Sequence, residues 1–236
     1  MQPPENDTTK ETDDVSGPAR AALDDDEDEL SDRAEESREQ DEGGENQATL
    51  DPDASAAPPL PVSELAAACV RFVAGRYGAR LDFAPETLSF VDQWIRDARA
   101  DLSSRPEAVD LVQSAAGAYL GEVIRRQFGG VWFADGDHSG WRLHMSTVYC
   151  AFNPIGMARE ALLLASADGW HAHFELDPGE RDAVQARLEA LPPVEDEDYY
   201  APSTRYDVVS IVVDGLRAEM QARGLGDVRF TPDDYQ

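Results

Sequence analysis

His171 and His173 stand one residue apart in a stretch, 169–176, that alternates Trp170, Ala172, Phe174 and Leu176 with His171, His173 and Glu175. On a strand, that spacing projects two imidazoles from one face, a geometry that zinc sites use. If the strand carrying His144 were its neighbour, His144 would join them, with Glu175 or Asp137 supplying an oxygen. The chemistry would then be metal-assisted hydrolysis centred on His144, His171 and His173. The plainer reading makes these residues the wet side of a half-buried strand, since alternation alone explains them. Two other chemistries fade on inspection. Asp135, Asp137 and Ser139 begin like a calcium loop, but the twelfth position is Ser146 rather than a bidentate Glu. Cys150 near His144 offers a nucleophile and a base, yet a lone Cys beside a strand end is the pattern of a small buried hydrophobe.

Other reaction classes lack their residues. Lys10 is the only lysine, so a domain beginning near residue 59 has neither a Schiff-base amine nor a phosphate-loop lysine. Neither G-x-x-x-x-G-K-[ST] nor G-x-S-x-G occurs. Cys69 and Cys150 form no C-x-x-C pair, which suits two free thiols in a reduced, cytoplasmic compartment. The opening Met1-Gln2-Pro3-Pro4-Glu5 is not a secretory leader, and no apolar run suggests a membrane span.

The most distinctive string is Gly117-Ala118-Tyr119-Leu120-Gly121-Glu122-Val123-Ile124-Arg125-Arg126, followed by Gly129-Gly130-Val131-Trp132. Each glycine inside a helix costs about 1 kcal/mol relative to alanine, so a close-packed neighbour is the expected reason for both. On the structural reading Tyr119 is core with a polar tip, and Glu122 pairs with Arg125 or Arg126 on the surface. On the functional reading Tyr119, Glu122, Arg125 and Trp132 form a polar cluster that recognises a partner.

Leu81-Asp82-Phe83, Thr87-Leu88, Asp92, the string from Gly117 to Val123 and Trp132 together resemble a group of uncharacterised bacterial domain families. These share an L-D start, a helix ending near an Asp, and a G-x-Y-L-G-[ET]-V helix followed by a Gly-rich turn and a Trp. The resemblance covers about residues 80–150 and implies a small α+β build; it brings no catalytic residues with it.

Three helices should position these residues. Val62, Leu65, Ala66, Cys69, Val70 and Val73 predict a first helix stopped by Gly78; Pro85 opens a second, to about residue 101; Ala108 to Phe128 is a third, closed by Gly129-Gly130. The period then falls to two. Val131 to Phe133 and Trp141 to Tyr149 predict a hairpin, with Trp141, Leu143, Met145, Thr147 and Tyr149 on one face. Met157 to Ala165 reads equally as helix or strand. Asp177-Pro178 opens a helix to about Leu191, 192–202 is an acidic linker, and Val208 to Met220 marks a last helix ending at Gly224. The fold class is α+β, mostly helical, with a small antiparallel sheet in the middle of a single domain, 59–236.

Charge completes the reading. Of 48 acidic and 20 basic residues, net −28, residues 1–58 hold 20 acidic and 4 basic, net −16, with no aromatic side chain. Such a segment cannot offset chain entropy by burial and is expected to be a disordered acidic arm. The excess of acid argues against nucleic-acid binding, which needs a basic footprint. The expectation is a non-catalytic cytoplasmic interaction domain, adaptor- or immunity-like, with no cofactor and no membrane contact, that binds another protein, while the acidic arm either modulates solubility or attracts a basic partner. The metal-dependent hydrolase is the alternative.

Overall fold

The Ala108–Phe128 helix is apolar on nearly every side, so its neighbours must enclose it. In the computed structural model, which describes residues 57–101 and 106–235, they do so. The expected acidic arm lies, but for its last two residues, outside the described residues. All described residues belong to one compact unit. Helix α1 (Leu60–Tyr77) ends where Gly78 adopts a left-handed φ of 65°; a 3₁₀ turn at Pro85–Thr87 leads into α2 (Leu88–Asp101); α3 is Ala108–Phe128. The chain then forms β1 (Gly130–Phe133), β2 (Arg142–Met145) and β3 (Cys150–Phe152), followed by α4 (Pro154–Leu163). Strand β4 (Glu175–Leu176), α5 (Arg181–Glu189), α6 (Asp196–Tyr199) and α7 (Pro202–Ala222) complete the order. The sheet is antiparallel throughout, β1-β2-β3-β4, and α1, α2, α4 and α7 pack around α3. The fold is thus α+β and mostly helical.

Three expectations need correction. The strand expected over Trp141–Tyr149 is one short strand and a turn: β2 ends at Met145, the next strand starts only at Cys150, and Ser146 and Val148, not Thr147 and Tyr149, are buried. Distant residues hold that turn. Arg217 of α7 donates to Thr147 Oγ1 and the Phe128 carbonyl, while the Tyr235 hydroxyl accepts from the Cys150 amide and donates to the Met145 carbonyl at 2.7 Å. The strand expected over 169–176 is reduced to Glu175–Leu176. Gly169 and His171 both take positive φ, and the His171 carbonyl accepts the Asn153 amide, which bends the chain away from the sheet. The alternation survives without the strand, with Ala172 and Leu176 buried and His171, His173 and Glu175 exposed. The acidic linker contains the single turn α6.

Helix is the resolution of the ambiguous 157–165 segment. Asn153 is its N-cap, its side-chain oxygen accepting from Ile155 and Gly156, with Pro154 preset at N1. The same side chain donates to the carbonyls of His138 and Ser139, so one residue starts α4 and ties down the hairpin loop.

The glycines of α3 answer to close approach. A Cβ at Gly117 would lie 2.4 Å from Ile155 Cα, and one at Gly121 2.2 Å from the Trp132 ring. Gly75, exposed in α1, has nothing within 4 Å of such an atom. Gly117→Ala is therefore expected to cost about 1–3 kcal/mol, because backbone must move. Gly75→Ala should stabilise by about 0.5–1 kcal/mol through helix propensity. Urea unfolding of the two variants checks the opposite signs.

Candidate functional site

Tyr119, Glu122, Arg125 and Trp132 do come together, but inside the protein. Tyr119 is 0% exposed, Glu122 1%, Arg125 5% and Trp132 5%. The expected surface pairing of Glu122 is thereby overturned. Helical spacing brings Arg125 back onto Glu122, with Nε 2.8 Å from Oε1 and Nη2 3.1 Å from Oε2, and the Trp132 indole N–H donates to Oε1 at 2.9 Å. The exposed Arg126 stands 3.6 Å from Oε2. Trp132 reaches Glu122 because Gly121, one residue before it, leaves room for the indole to cross the helix.

One turn earlier, Tyr119 fastens a different segment. Its hydroxyl accepts the Phe83 amide at 2.9 Å; the Thr87 hydroxyl donates to the Ala84 carbonyl, leaving Tyr119 to donate to Thr87 Oγ1. Phe83, at φ 66°, stacks on the Tyr119 ring, and the Arg126 guanidinium lies 3.6 Å over the outer face of Phe83. The polar groups of the motif are thus directed at one another and at the chain entering α2. Burial raises the Tyr119 phenol above its ordinary range.

The histidines do not converge. Strand β3 separates β2 from β4, so His144 faces Ala151, and Ala151 in turn faces Glu175. Among the described residues, no group of three or more His, Cys, Asp or Glu side chains is placed to hold a metal ion. His144 is sandwiched between Phe133 and Tyr235, ring centroids 6.1 and 4.2 Å away, and its Nδ1 is buried without a partner. His171 is exposed in the bend, and exposed His173 stands 3.6 Å from buried Glu160. Asp135, Asp137 and Ser139 flank or form a 3₁₀ turn at His138–Gly140. Both cysteines are buried, and burial drives both thiols far up, which makes Cys150 a poor nucleophile.

Sequence reasoning passed over three features. Ser114 Oγ lies 2.9 Å from His138 Nδ1 and joins α3 to the hairpin loop. Arg205 of α7 donates to Glu160 of α4 at 2.8 Å, both side chains buried. The third is a surface. Two shallow depressions meet at Leu111, one lined by Leu65, Asp110, Asp137 and Trp170, the other by Phe72, Trp94, Asp97 and Asp101. Leu111 is 45% exposed and Phe72 44%, its ring stacked on Trp94. The signal in the sequence was Leu65 and Phe72, two turns apart on α1, but residue type alone does not separate an outward apolar position from an inward one.

With this geometry in hand, comparison with known proteins finds no matching family model, no similar curated protein and no similar solved structure.

Glu122→Gln removes the charge that accepts both Arg125 hydrogen bonds and the Trp132 indole N–H in the interior, and is expected to cost about 3 kcal/mol or more. Trp132→Phe keeps the ring on Gly121 but removes one donor to a carboxylate, for about 1.5–3 kcal/mol. Denaturant midpoints of the two variants check this order.

Burial lowers the His144 pKa, opposed by Glu175 and assisted by Arg142. A base held below its unfolded pKa stabilises the fold fully above that unfolded value, about 6.5, and loses the contribution as pH falls toward the folded pKa. His144→Phe, which stays aromatic and removes the orphaned Nδ1, should therefore lose less stability than the parent between pH 7 and 5. Unfolding curves at the two pH values measure the difference.

Proposed function

We propose that the chain is a non-catalytic interaction protein of the cytoplasm, adaptor- or immunity-like, whose docking surface is the Leu111-centred ridge of α1 and α3. Its partner is a basic protein segment that presents apolar anchors. The observation that carries this reading is the pairing of exposed Leu111 and Phe72 with Asp110 and Asp137 along the two depressions. Contiguous apolar area rimmed by polar groups marks interaction sites, and the acid selects the charge of what docks. Arg76 stands in the same region but is hydrogen-bonded to Asp97.

The net charge of −28 supports the choice of a basic partner, by steering at long range, and speaks against nucleic acid. No helix among the described residues is long and apolar enough to cross a membrane. The proposal includes no cofactor. Kinship with the bacterial families that share the G-x-Y-L-G-[ET]-V helix belongs to the same proposal, and the burial of Gly117, Gly121, Glu122 and Trp132 supports a structural role for that motif.

Calorimetric titration of the full chain with an amphipathic peptide of leucine and lysine tests the reading. Leu111→Ser combined with Phe72→Ser should weaken binding roughly tenfold or more, as loss of central apolar anchors does. A peptide with serine in place of leucine, at the same charge, should bind comparably weakly to the parent chain. Equal affinity in either comparison would reduce the contact to charge alone and sink the proposal.

A further inference from the structure

Away from that ridge, a cavity of about 800 Å³ opens between α5, α7 and the segment linking α5 to α6. Its walls are largely apolar, with Met157, Leu176, Val184, Leu188, Val208 and Ile211 contributing. Size and lining are those of a small-molecule site, in which a few placed polar groups orient the ligand. Arg205 is such a group. It lines the cavity with its side chain only 7% exposed, and its guanidinium lies 4.5 Å from the Tyr199 ring centre and 5.1 Å from that of Tyr200.

The hydrogen bonding of Arg205 is incomplete. Nη2 donates to Glu160 Oε2 at 2.8 Å, Nε is sealed from solvent and therefore out of reach of anything in the cavity, and Nη1 is not sealed and makes no hydrogen bond among the described residues. An open donor on a guanidinium that is otherwise buried can take its acceptor from a bound ligand, and a hydrogen bond to a charged group is among the stronger ones. Glu160 cannot supply the missing acceptor and keep its present contacts: its other oxygen accepts the Ala167 amide at 3.2 Å and faces His173 Nε2 at 3.6 Å.

We propose that this cavity binds a small apolar molecule ending in a carboxylate, the chain lying among the aliphatic side chains and the carboxylate on Arg205. The guanidinium fork is matched to a carboxylate, and Glu160 fixes its plane before the ligand arrives. Arg181 and His173 also border the cavity and add basic groups, and Glu189 and Asp207 border it too. The inference is independent of the α1–α3 ridge.

Titration of the full chain with decanoate and, separately, 1-decanol, both below their aggregation concentrations, tests it. Decanoate should bind one to one and at least roughly tenfold more tightly than the alcohol, the discrimination expected where a charged pair is lost. Ile211→Trp, which projects an indole into the cavity without touching the ion pair, should weaken binding of decanoate roughly tenfold or more while circular dichroism and the cooperative melt persist. Arg205→Lys keeps a charge for Glu160 but loses the fork, and should bring decanoate affinity down toward that of decanol. Equal affinities for acid and alcohol would overturn the assignment of the carboxylate to Arg205. Absence of binding by both, or binding of decanoate that Ile211→Trp leaves unchanged, would overturn the site itself.

Discussion

A carboxylate in the middle of a helix that is enclosed on all sides must be neutralised where it stands, and Glu122 imposes that condition on everything around it. Its charge is met by Arg125 one turn on and by the indole of Trp132, which arrives only after the chain has left α3 through Gly129 and entered the sheet. Trp132 in turn needs the bare backbone of Gly121 to reach across. The first strand is therefore positioned by a buried charge, and the rest of the sheet builds outward from it, each strand pairing with the one before. Replacing the pair by apolar groups of similar volume is expected to leave stability little changed, since desolvation offsets much of the attraction. What the pair does supply is direction: only one placement of β1 brings an N–H to Glu122.

A second buried pair does for the later half what Glu122 does for the earlier one. Glu160 lies in α4, seated against Gly117 of α3, and Arg205 lies in the first turns of α7. Between them runs the long excursion through β4, α5 and α6, which contributes few fully buried side chains of its own: Ala172, Leu176 and Val184. With so thin an apolar contribution from the excursion, the return of α7 rests on its own buried face of Val209, Val212, Val213 and Leu216 together with this ion pair. Asp92 of α2 accepts from Ser203 at the same helix start, and burial raises its carboxyl above the usual range. Both contacts register α7 at its N-terminus, while Arg217 registers it near its C-terminus on the Phe128 carbonyl.

Local signals were legible where they decide structure locally. The left-handed stop at Gly78, the proline starts and the span of α3 agree with the sequence pattern because caps and periodicity act within one or two turns. Asn153-Pro154 carried a helix start as well, but the apolar run after it masked the cap. The break after Met145 was not legible, since it depends on Tyr235, which takes the Met145 carbonyl, and on Arg217, which holds the Thr147 hydroxyl, both more than 60 residues away. The same holds for the bend at His171, whose carbonyl is held by Asn153. For the candidate site, the members of the cluster were readable from the string Gly117 to Trp132. Its depth was not: i, i+3 spacing brings Glu and Arg together whether water or protein lies beyond them, and only the arrival of Trp132 decides which.

That depth also determines where recognition can occur. Side chains whose donors and acceptors are matched internally have nothing to offer a partner without first breaking the fold, and Tyr119, Glu122 and Trp132 are in that position. Groups that retain binding capacity lie elsewhere and are of two kinds. Leu111 and Phe72 expose apolar area that water solvates poorly, and they need a covering surface rather than a donor. Arg205 is the reverse: it is already dry, and it lacks an acceptor rather than a cover. The two sites therefore favour different occupants on physical grounds, a broad amphipathic surface for the ridge and a compact ligand with a charged end for the cavity. The acidity of the chain acts on them in opposite directions, drawing a basic segment toward the ridge and opposing an anion until it reaches the guanidinium.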